Sequence, residues 1–180
     1  EFVPARVPLL QQAFDRCGIT CAVAVENDAT QHNSDWPTFD RVLCDVPCSG
    51  LGVIAKKPDI RYKDLDGIEN LLAAQQKILQ NGADSLAENG RLVYSTCTFA
   101  PQEDEEQVSD FLDKHDEYFI EPWEDFLPTD CGIKDGTIAG AMRLYPHLIS
   151  GEGHFAVRLR KGQGDPHTAL DTSDPIDTRQ

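Results

Sequence analysis

Apolar residues recur at helical spacing in three separate stretches of the chain. From Ala5 to Arg16 they lie three or four positions apart, and Gly18 follows where a helix would stop, which predicts a first helix. The same spacing predicts a second helix from Leu65 to Leu86, with Asn89-Gly90 as its stop. A third helix is predicted after Pro101.

Short apolar runs between these helices predict strands. Cys21 to Val25 is predicted to be a short buried strand, Phe39 to Cys44 a second and Arg91 to Tyr94 a third. Arg143 to Tyr145 and His154 to Leu159 predict a terminal hairpin. Strands that alternate with helices favour an α/β fold with a mostly parallel sheet, in which ligands gather at the carboxyl ends of strands.

A run of four acids opens the third predicted helix: Glu103, Asp104, Glu105 and Glu106. Negative charge is stabilising near the positive end of the helix dipole. We therefore interpret the run as helix capping rather than as a metal site.

The length and composition fit a single globular domain. The chain has 180 residues, of which 40% are hydrophobic, and this is enough for one core. Residues 1–161 carry all the predicted elements. From 162 to 180 the apolar periodicity disappears, which predicts a flexible tail or linker. No run of eighteen apolar residues is present, so no membrane-spanning helix is expected.

Charge and cysteine content narrow the range of partners and compartments. A formal net charge of -15 argues against wrapping nucleic acid over the whole surface, because phosphate binding depends on Lys and Arg. Six cysteines are few for a disulfide-stapled scaffold, which favours a reducing cytoplasm. Two short clusters of basic residues, which we call basic tracks, are either RNA contacts or ordinary surface charge. The first is Lys56, Lys57, Arg61 and Lys63, and the second is Arg158, Arg160 and Lys161.

Two cysteine motifs follow two of the predicted strands. Residues 45–50 (DVPCSG) come after the second strand, and residues 95–98 (STCT) end the third. The carboxyl ends of strands in an open α/β sheet border one crevice. We therefore expect Cys48, Cys97 and the carboxylate of Asp45 to converge there.

Two thiols and a carboxylate suit covalent chemistry on a cytosine ring. Addition of a thiolate at carbon 6 makes carbon 5 a nucleophile that can attack an activated methyl group. The scheme also needs a carboxylate near ring nitrogen 3 and a base that removes the proton from carbon 5. Asp45, Cys48 and Cys97 can fill these roles.

These motifs resemble those of the RNA cytosine-5 methyltransferases that depend on S-adenosylmethionine, the NOL1/NOP2/Sun type. The hairpin segments 143–147 and 151–155 resemble the closing hairpin of that family, particularly its bacterial 16S ribosomal RNA branch of the RsmF type. The resemblance implies a Rossmann-like class I methyltransferase sheet with a C-terminal β-hairpin, acting on RNA and in particular on ribosomal RNA. It covers roughly Ala5 to Lys161 and also rests on Lys57-Pro58-Asp59, Gln75-Gln76 and residues 94–98.

The resemblance also implies a role for each catalytic residue. Cys97 would be the nucleophile on carbon 6, Cys48 would assist release of the methylated product, and Asp45 would hold the cytosine edge. DNA cytosine-5 methyltransferases attack with the cysteine of their Pro-Cys motif, which corresponds to Cys48. The order of the two cysteines is therefore open from sequence, although the Thr-Cys motif favours Cys97.

Four residues would bind S-adenosylmethionine according to the same resemblance. Asp28 matches the family acid that contacts the adenine of the cofactor, and Glu1 falls where the family has the acid that binds the ribose hydroxyls. Asp45 and Pro47 complete the expected cofactor-binding set.

One part of the family pattern is not found in this sequence. The Gly-rich cofactor loop is absent, and Gly50-Leu51-Gly52 follows the wrong strand to replace it. We therefore expect residues 1–161 to be a partial methyltransferase domain that lacks the first strand and this loop. The alternative is a catalytically inactive fragment or a noncatalytic RNA-binding module, dimerising through an exposed sheet edge. No metal is expected, because the chain has no Cys-x-x-Cys pair.

Overall fold

A computed structural model describes residues 1–62, 66–123, 134–135, 138–148 and 151–162. The helices longer than one turn in these ranges are α1 (Val7–Arg16), α2 (Ile68–Asp84) and α3 (Glu105–Leu112). The strands are β1 (Phe39–Asp45), β2 (Leu86–Thr96), β3 (Tyr118–Ile120), β4 (Lys134–Asp135), β5 (Met142–Leu144) and β6 (His154–Lys161). The predicted tail lies outside the described residues from 163 onward.

The strands form one sheet in the order β1-β2-β6-β5-β4, and β3 also pairs with β6. β1 and β2 are parallel, whereas the other described pairs are antiparallel. The predicted α/β class and closing hairpin are therefore confirmed. The expectation of a mostly parallel sheet is not met in the described part, because the returning strand β6 lies directly beside β2.

The core lies where β2 and β6 meet α2 and α3. Leu92 and Tyr94 alternate with more exposed neighbours along β2, and both are fully buried. They belong to one apolar cluster with residues of the helices and of β6: Leu79, Ala83, Val108, Phe111, Phe155, Val157 and Leu159. This alternation is what a strand with one face against helices requires.

Helix α2 packs closely on β1 because it carries a glycine at the contact. A Cβ added at Gly82 would lie 2.5 Å from the sulfur of Cys44. Cys44 is buried at this contact, as expected for a core thiol, and burial raises its pKa to about 12. The contact fixes the strand that leads into the first cysteine motif.

The predicted buried strand from Cys21 to Val25 is wrong. The segment is not in the sheet, and the side chain of Val23 is 81% exposed. Its backbone pairs with the start of the chain, where the Glu1 amino group donates to the Val25 carbonyl at 3.1 Å. Within the described sheet, β1 is the end strand and has only β2 as a neighbour, so this apolar run has no strand beside it.

The second helix is shorter than the sequence predicted. α2 ends at Asp84 with Ser85 as its C-cap, five residues before Asn89-Gly90. Asn89, with a φ of 62°, lies inside β2 instead. The apolar residue Leu86 belongs to β2, where it pairs with Phe39.

No helix in the described ranges has the length and apolar character needed to cross a membrane.

Candidate active site

The two predicted cysteines lie side by side at one edge of the sheet. The sulfurs of Cys48 and Cys97 are 3.1 Å apart, and both residues are half-buried. Because β1 and β2 are parallel, with Asp45 opposite Ser95, the chain leaves both strands at the same edge. The structure thus brings the two thiols together, and which of them attacks stays a prediction.

The environment of Cys48 favours its protonated form. Burial raises the pKa of Cys48 to about 12, and the hydrogen bond and charge of the neighbouring Cys97 add to this effect. At neutral pH Cys48 is therefore a thiol whose proton can be shared with the Cys97 sulfur. Such a group suits proton transfer better than nucleophilic attack, which needs a thiolate.

Asp45 is the last residue of β1 and precedes Cys48 in the first cysteine motif. It is exposed, and Ser95 donates a hydrogen bond to its Oδ1 at 3.1 Å. The bond joins the two strand ends and leaves Oδ2 for a ligand.

A cavity of about 800 Å³ opens beside Asp45. Its wall includes all four residues predicted to bind a cofactor: Glu1, Asp28, Asp45 and Pro47. Apolar side chains form much of the rest, among them Trp36, Phe39 and Val42. Carboxylates suit hydroxyl groups and positive charge, and apolar walls suit a flat ring, so these residues fit a nucleoside that carries a cation.

Local contacts hold Asp28 and Glu1, two of the three acids of this cavity, in place. Asp28 accepts hydrogen bonds from the Thr30 hydroxyl at 2.7 Å and from the Thr30 amide at 2.9 Å. These bonds lower the pKa of Asp28 below its ordinary value, so it is ionised at neutral pH. Glu1 accepts a hydrogen bond from the Val3 amide at 3.0 Å and lies 3.9 Å from Arg6.

The acidic run places Glu105 and Glu106 in the first turn of α3, as the dipole argument predicts, but its buried members have other partners. Asp104 is the N-cap residue but makes no side-chain capping bond. Glu103 and Asp104 are fully buried, and Glu105 is 5% exposed. Their side chains reach across to the two cysteine motifs and to β5. Within the described residues, no group of three or more metal-binding side chains is arranged to hold an ion.

Glu103 binds the first cysteine motif. Its carboxylate accepts hydrogen bonds from the Ser49 amide at 2.8 Å and from the Ser49 hydroxyl at 2.5 Å. It also accepts one from the side-chain amide of Gln75 at 3.0 Å. A buried carboxylate is stable only with such partners. Here Ser49 belongs to the turn that carries Cys48, and Gln75 lies on α2.

Asp104 and Glu105 share one buried arginine. Arg143 on β5 lies 3.0 Å from Asp104 Oδ2 and forms a two-bond pair with Glu105. Asp104 also accepts a 2.6 Å hydrogen bond from Thr96. Burial raises the pKa of Asp104 to about 7, and the hydrogen bond from Thr96 and the positive charge of Arg143 limit that rise.

Gly52 joins both cysteine motifs to the closing hairpin through its backbone. Its amide donates to the Cys97 carbonyl at 2.9 Å, and its own carbonyl accepts from the Gly153 amide at 2.8 Å. A Cβ at this position would lie 2.7 Å from the Cys97 carbonyl oxygen and would overlap that of Gly153. Only glycine therefore fits at position 52, between the backbone segments of Cys97 and Gly153.

The chain matches a protein-family model described as "16S rRNA methyltransferase RsmB/F" over residues 1–160. The chain belongs to this family. The family that the sequence motifs predicted is thus confirmed.

Curated relatives carry corresponding names. The chain is 36% identical over 159 residues to the "Probable ribosomal RNA small subunit methyltransferase B" of a Synechocystis species, and 33% identical over 171 residues to the "Ribosomal RNA small subunit methyltransferase F" of Aeromonas salmonicida. These alignments cover 87% and 93% of this chain. The chain spans 35% and 36% of the length of the two relatives.

Solved structures show the same fold. The crystal structure of PH0851 aligns with a TM-score of 0.81 at 29% identity, over 89% of this chain and 36% of that one. The structure of NSun6 from Pyrococcus horikoshii with SFG aligns with a TM-score of 0.77 at 28% identity. That alignment covers 91% of this chain and 41% of the other.

Sequence reasoning missed the buried polar residues that support this RsmB/F site. Gln75 was noted only as part of a motif, and the acids were assigned to capping. Arg143 was noted only in the hairpin. The sequence offers one indication of a buried ion pair, an arginine flanked by apolar residues in a predicted strand. Such an arginine is expected to be buried, and a buried arginine requires an acid partner.

Proposed function

We propose that this RsmB/F chain carries the catalytic residues of a small-subunit ribosomal RNA cytosine-5 methyltransferase that forms a covalent cysteine adduct. The supporting observation is the 3.1 Å separation of the Cys48 and Cys97 sulfurs. Pro47, the residue before Cys48, borders the cavity together with Asp45. The names of the relatives support ribosomal RNA as the substrate. A thiol pair of this kind has no evident use in methylation of a ring nitrogen or a ribose hydroxyl.

Cys97 is the nucleophile in this mechanism. Its thiolate adds to carbon 6 of the cytosine, and Asp45 holds the edge of the ring that bears nitrogen 3. Electron density shifts to carbon 5, which gains the methyl group. A base then removes the proton from carbon 5, and the thiolate leaves as the ring regains its double bond. A cytosine in a helix must leave its stack to reach this pair.

Cys48 is the base for the release step. Burial is the main cause of its raised pKa, and the hydrogen bond and charge of Cys97 add to it. When the Cys97 sulfur is bound to carbon, the added part is gone but burial remains, so Cys48 stays mainly a thiol. It acts as the base by passing its own proton to solvent as it accepts the one from carbon 5.

S-adenosylmethionine, when bound, supplies a methyl group on a positively charged sulfur. The residues that would hold it border the 800 Å³ cavity: Glu1, Asp28, Asp45 and Pro47. Asp28 is ionised and fixed by Thr30, which suits a hydrogen-bond acceptor for a nucleoside. The apolar wall would exclude water from the flat base.

RNA that carries 5-fluorocytidine tests the mechanism, because fluorine at carbon 5 cannot be removed as a proton and the adduct is trapped. We expect Cys97→Ala to abolish the trapped protein–RNA complex. With ordinary RNA, Cys48→Ala should accumulate a covalent complex that the unaltered protein releases. Denaturing gel electrophoresis measures both.

Cys17→Ser is the matched control, since Cys17 is an exposed thiol far from the motifs in sequence. It should leave adduct formation unchanged. Adduct formation that persists in Cys97→Ala but is lost in Cys48→Ala would reverse the two roles. Adduct formation that is unaffected in both variants would overturn the mechanism.

A second candidate function follows from exposed apolar residues next to β1. Leu43 is 69% exposed, Val23 81% and Phe2 69%. Such a surface suits a second copy of the chain, in a noncatalytic module that dimerises through this edge. Light scattering during titration with S-adenosylmethionine separates the candidates, because a dimer without cofactor binding favours the second.

We place the protein in the cytoplasm. The described cysteines are free thiols, including the reactive pair. A reducing compartment keeps a thiol pair at this distance from forming a disulfide.

A further inference from the structure

We propose that Glu103 is a positioning residue that sets the distance between Cys48 and Cys97. This inference rests on the proposed function for its catalytic consequence, but its geometric part can be tested without methyl transfer. Glu103 touches neither sulfur in the described hydrogen bonds. It acts through the residues on either side of Cys48.

Both neighbours of Cys48 are bound to the Glu103 carboxylate or to its partner. Ser49 donates its amide and its hydroxyl directly to Glu103. Pro47 is held indirectly, because Gln75 donates to the Pro47 carbonyl at 2.9 Å and to Glu103 at 3.0 Å. The backbone is thus fixed immediately before and after Cys48, while the thiol itself remains half-buried.

The hydrogen bonds of Glu103 and Ser49 extend to the second cysteine motif. The Ser49 and Thr98 hydroxyls are 2.9 Å apart, and Thr98 directly follows Cys97. Thr98, Ser49 and Glu103 are all at most 2% exposed. A chain of buried hydrogen bonds therefore runs from Glu103 through Ser49 to the Cys97 motif. Buried bonds of this kind hold geometry more firmly than bonds exposed to water.

The Gln75 side-chain amide ties Pro47 to Glu103. Its Nε2 carries two hydrogens and donates to the Pro47 carbonyl and to the Glu103 carboxylate. If the amide were turned over, its oxygen would face two acceptors and neither bond could form. One side chain therefore links the residue before Cys48 to Glu103.

A bifunctional thiol reagent tests the distance directly. Phenylarsine oxide bridges two thiols only when both sulfurs can bind one arsenic atom, with loss of water. We would measure its affinity in a background that carries Cys17→Ser, Cys21→Ser and Cys131→Ser, so that Cys48 and Cys97 form the bridging pair. The Glu103→Met variant removes every acceptor and should weaken binding about tenfold or more, because the residues on both sides of Cys48 lose their hydrogen bonds.

Two further variants define the result. Glu106→Met, which alters an exposed acid in the first turn of α3, should bind the arsenical as the background protein does. Glu103→Gln keeps one acceptor oxygen for Ser49 and Gln75, and it should restore part of the affinity. Equal affinity in Glu103→Met and Glu106→Met would overturn the proposal.

Gln75→Met covers the case in which Glu103→Met does not fold. It removes the tie to Pro47 and leaves the Ser49 bonds, so it should also weaken arsenical binding. If Gln75→Met folds and binds normally, the proposal is wrong.

In methylation assays, Glu103→Gln should lower kcat and leave the KM for RNA unchanged. If the background protein does not methylate RNA but Glu103→Met still weakens arsenical binding, the proposed function has failed and this inference stands.

Discussion

Asp104 is the described carboxyl group whose protonation changes nearest to neutral pH. It is fully buried beside Arg143 and Thr96. Burial raises its pKa from 3.8 to about 7 in the folded state. Between these two values the folded protein binds more protons than the unfolded chain. This group therefore stabilises the fold most below about pH 4 and loses that contribution as the pH rises to about 7.

The Asp104→Asn variant should remove this dependence on pH. We expect its melting temperature to fall less than that of the unaltered protein between pH 4 and pH 7, a window set by the two pKa values. Thermal unfolding across that range measures the difference, with the exposed Glu106→Gln as the control. Parallel curves for the Asp104→Asn and unaltered proteins would contradict the assignment.

The acidic run shows what single residues reveal in sequence and what they do not. Glu103, Asp104 and Glu105 match the local pattern of a helix start, and nothing nearby indicates another use. Their partners, Ser49, Gln75 and Arg143, lie between 28 and 54 residues away along the chain. Local patterns carry no information on such distant contacts. The cysteines were easier to place, because the carboxyl ends of parallel strands meet.

At the scale of elements, one arginine ties the closing hairpin to α3. Arg143 on β5 pairs with Asp104 and Glu105, and its guanidinium lies 5.2 Å from the centre of the Phe155 ring on β6. Removal of one partner from a buried ion pair leaves the other charges unpaired in the interior. The position of α3, and with it that of Glu103, depends on this contact.

The Arg143→Met variant should lower the free energy of unfolding by about 3 kcal/mol, the usual cost of breaking a buried ion pair from one side. Chemical denaturation measures the loss. Arg61→Met, which alters an exposed arginine, should change the free energy by much less. A loss in Arg143→Met no greater than in Arg61→Met would show that the buried pair does not hold the hairpin.

Strands that pair with another strand of this chain are predicted correctly from the sequence, whereas an apolar run without such a neighbour is not. The hairpin of β5 and β6 forms as expected because its two strands pair with each other. The run from Cys21 to Val25 has the same apolar character, but in the described sheet no strand lies beside it. A strand is stable only when its backbone groups are paired. Apolar pattern alone therefore identifies a strand only where its neighbour is also present.

For the whole molecule, charge and site chemistry point to a local contact with RNA. The net charge of -15 cannot attract a polyanion over the full surface. Lys56 of the first basic track is paired with Glu152 at 2.7 Å. The proposed function therefore requires recognition through a single cytosine that enters the site near the two thiols, rather than through a broad basic surface. The chain spans 35% and 36% of the length of two curated relatives.

The central claim is that the cysteine pair directs methylation to carbon 5 of cytosine. RNA labelled with tritium at that carbon tests it most directly, because methyl transfer to carbon 5 must replace the tritium. The account predicts release of one tritium atom to water for each methyl group incorporated, and neither event in Cys97→Ala. Methyl incorporation without tritium release would place the methyl group on another atom and contradict the account.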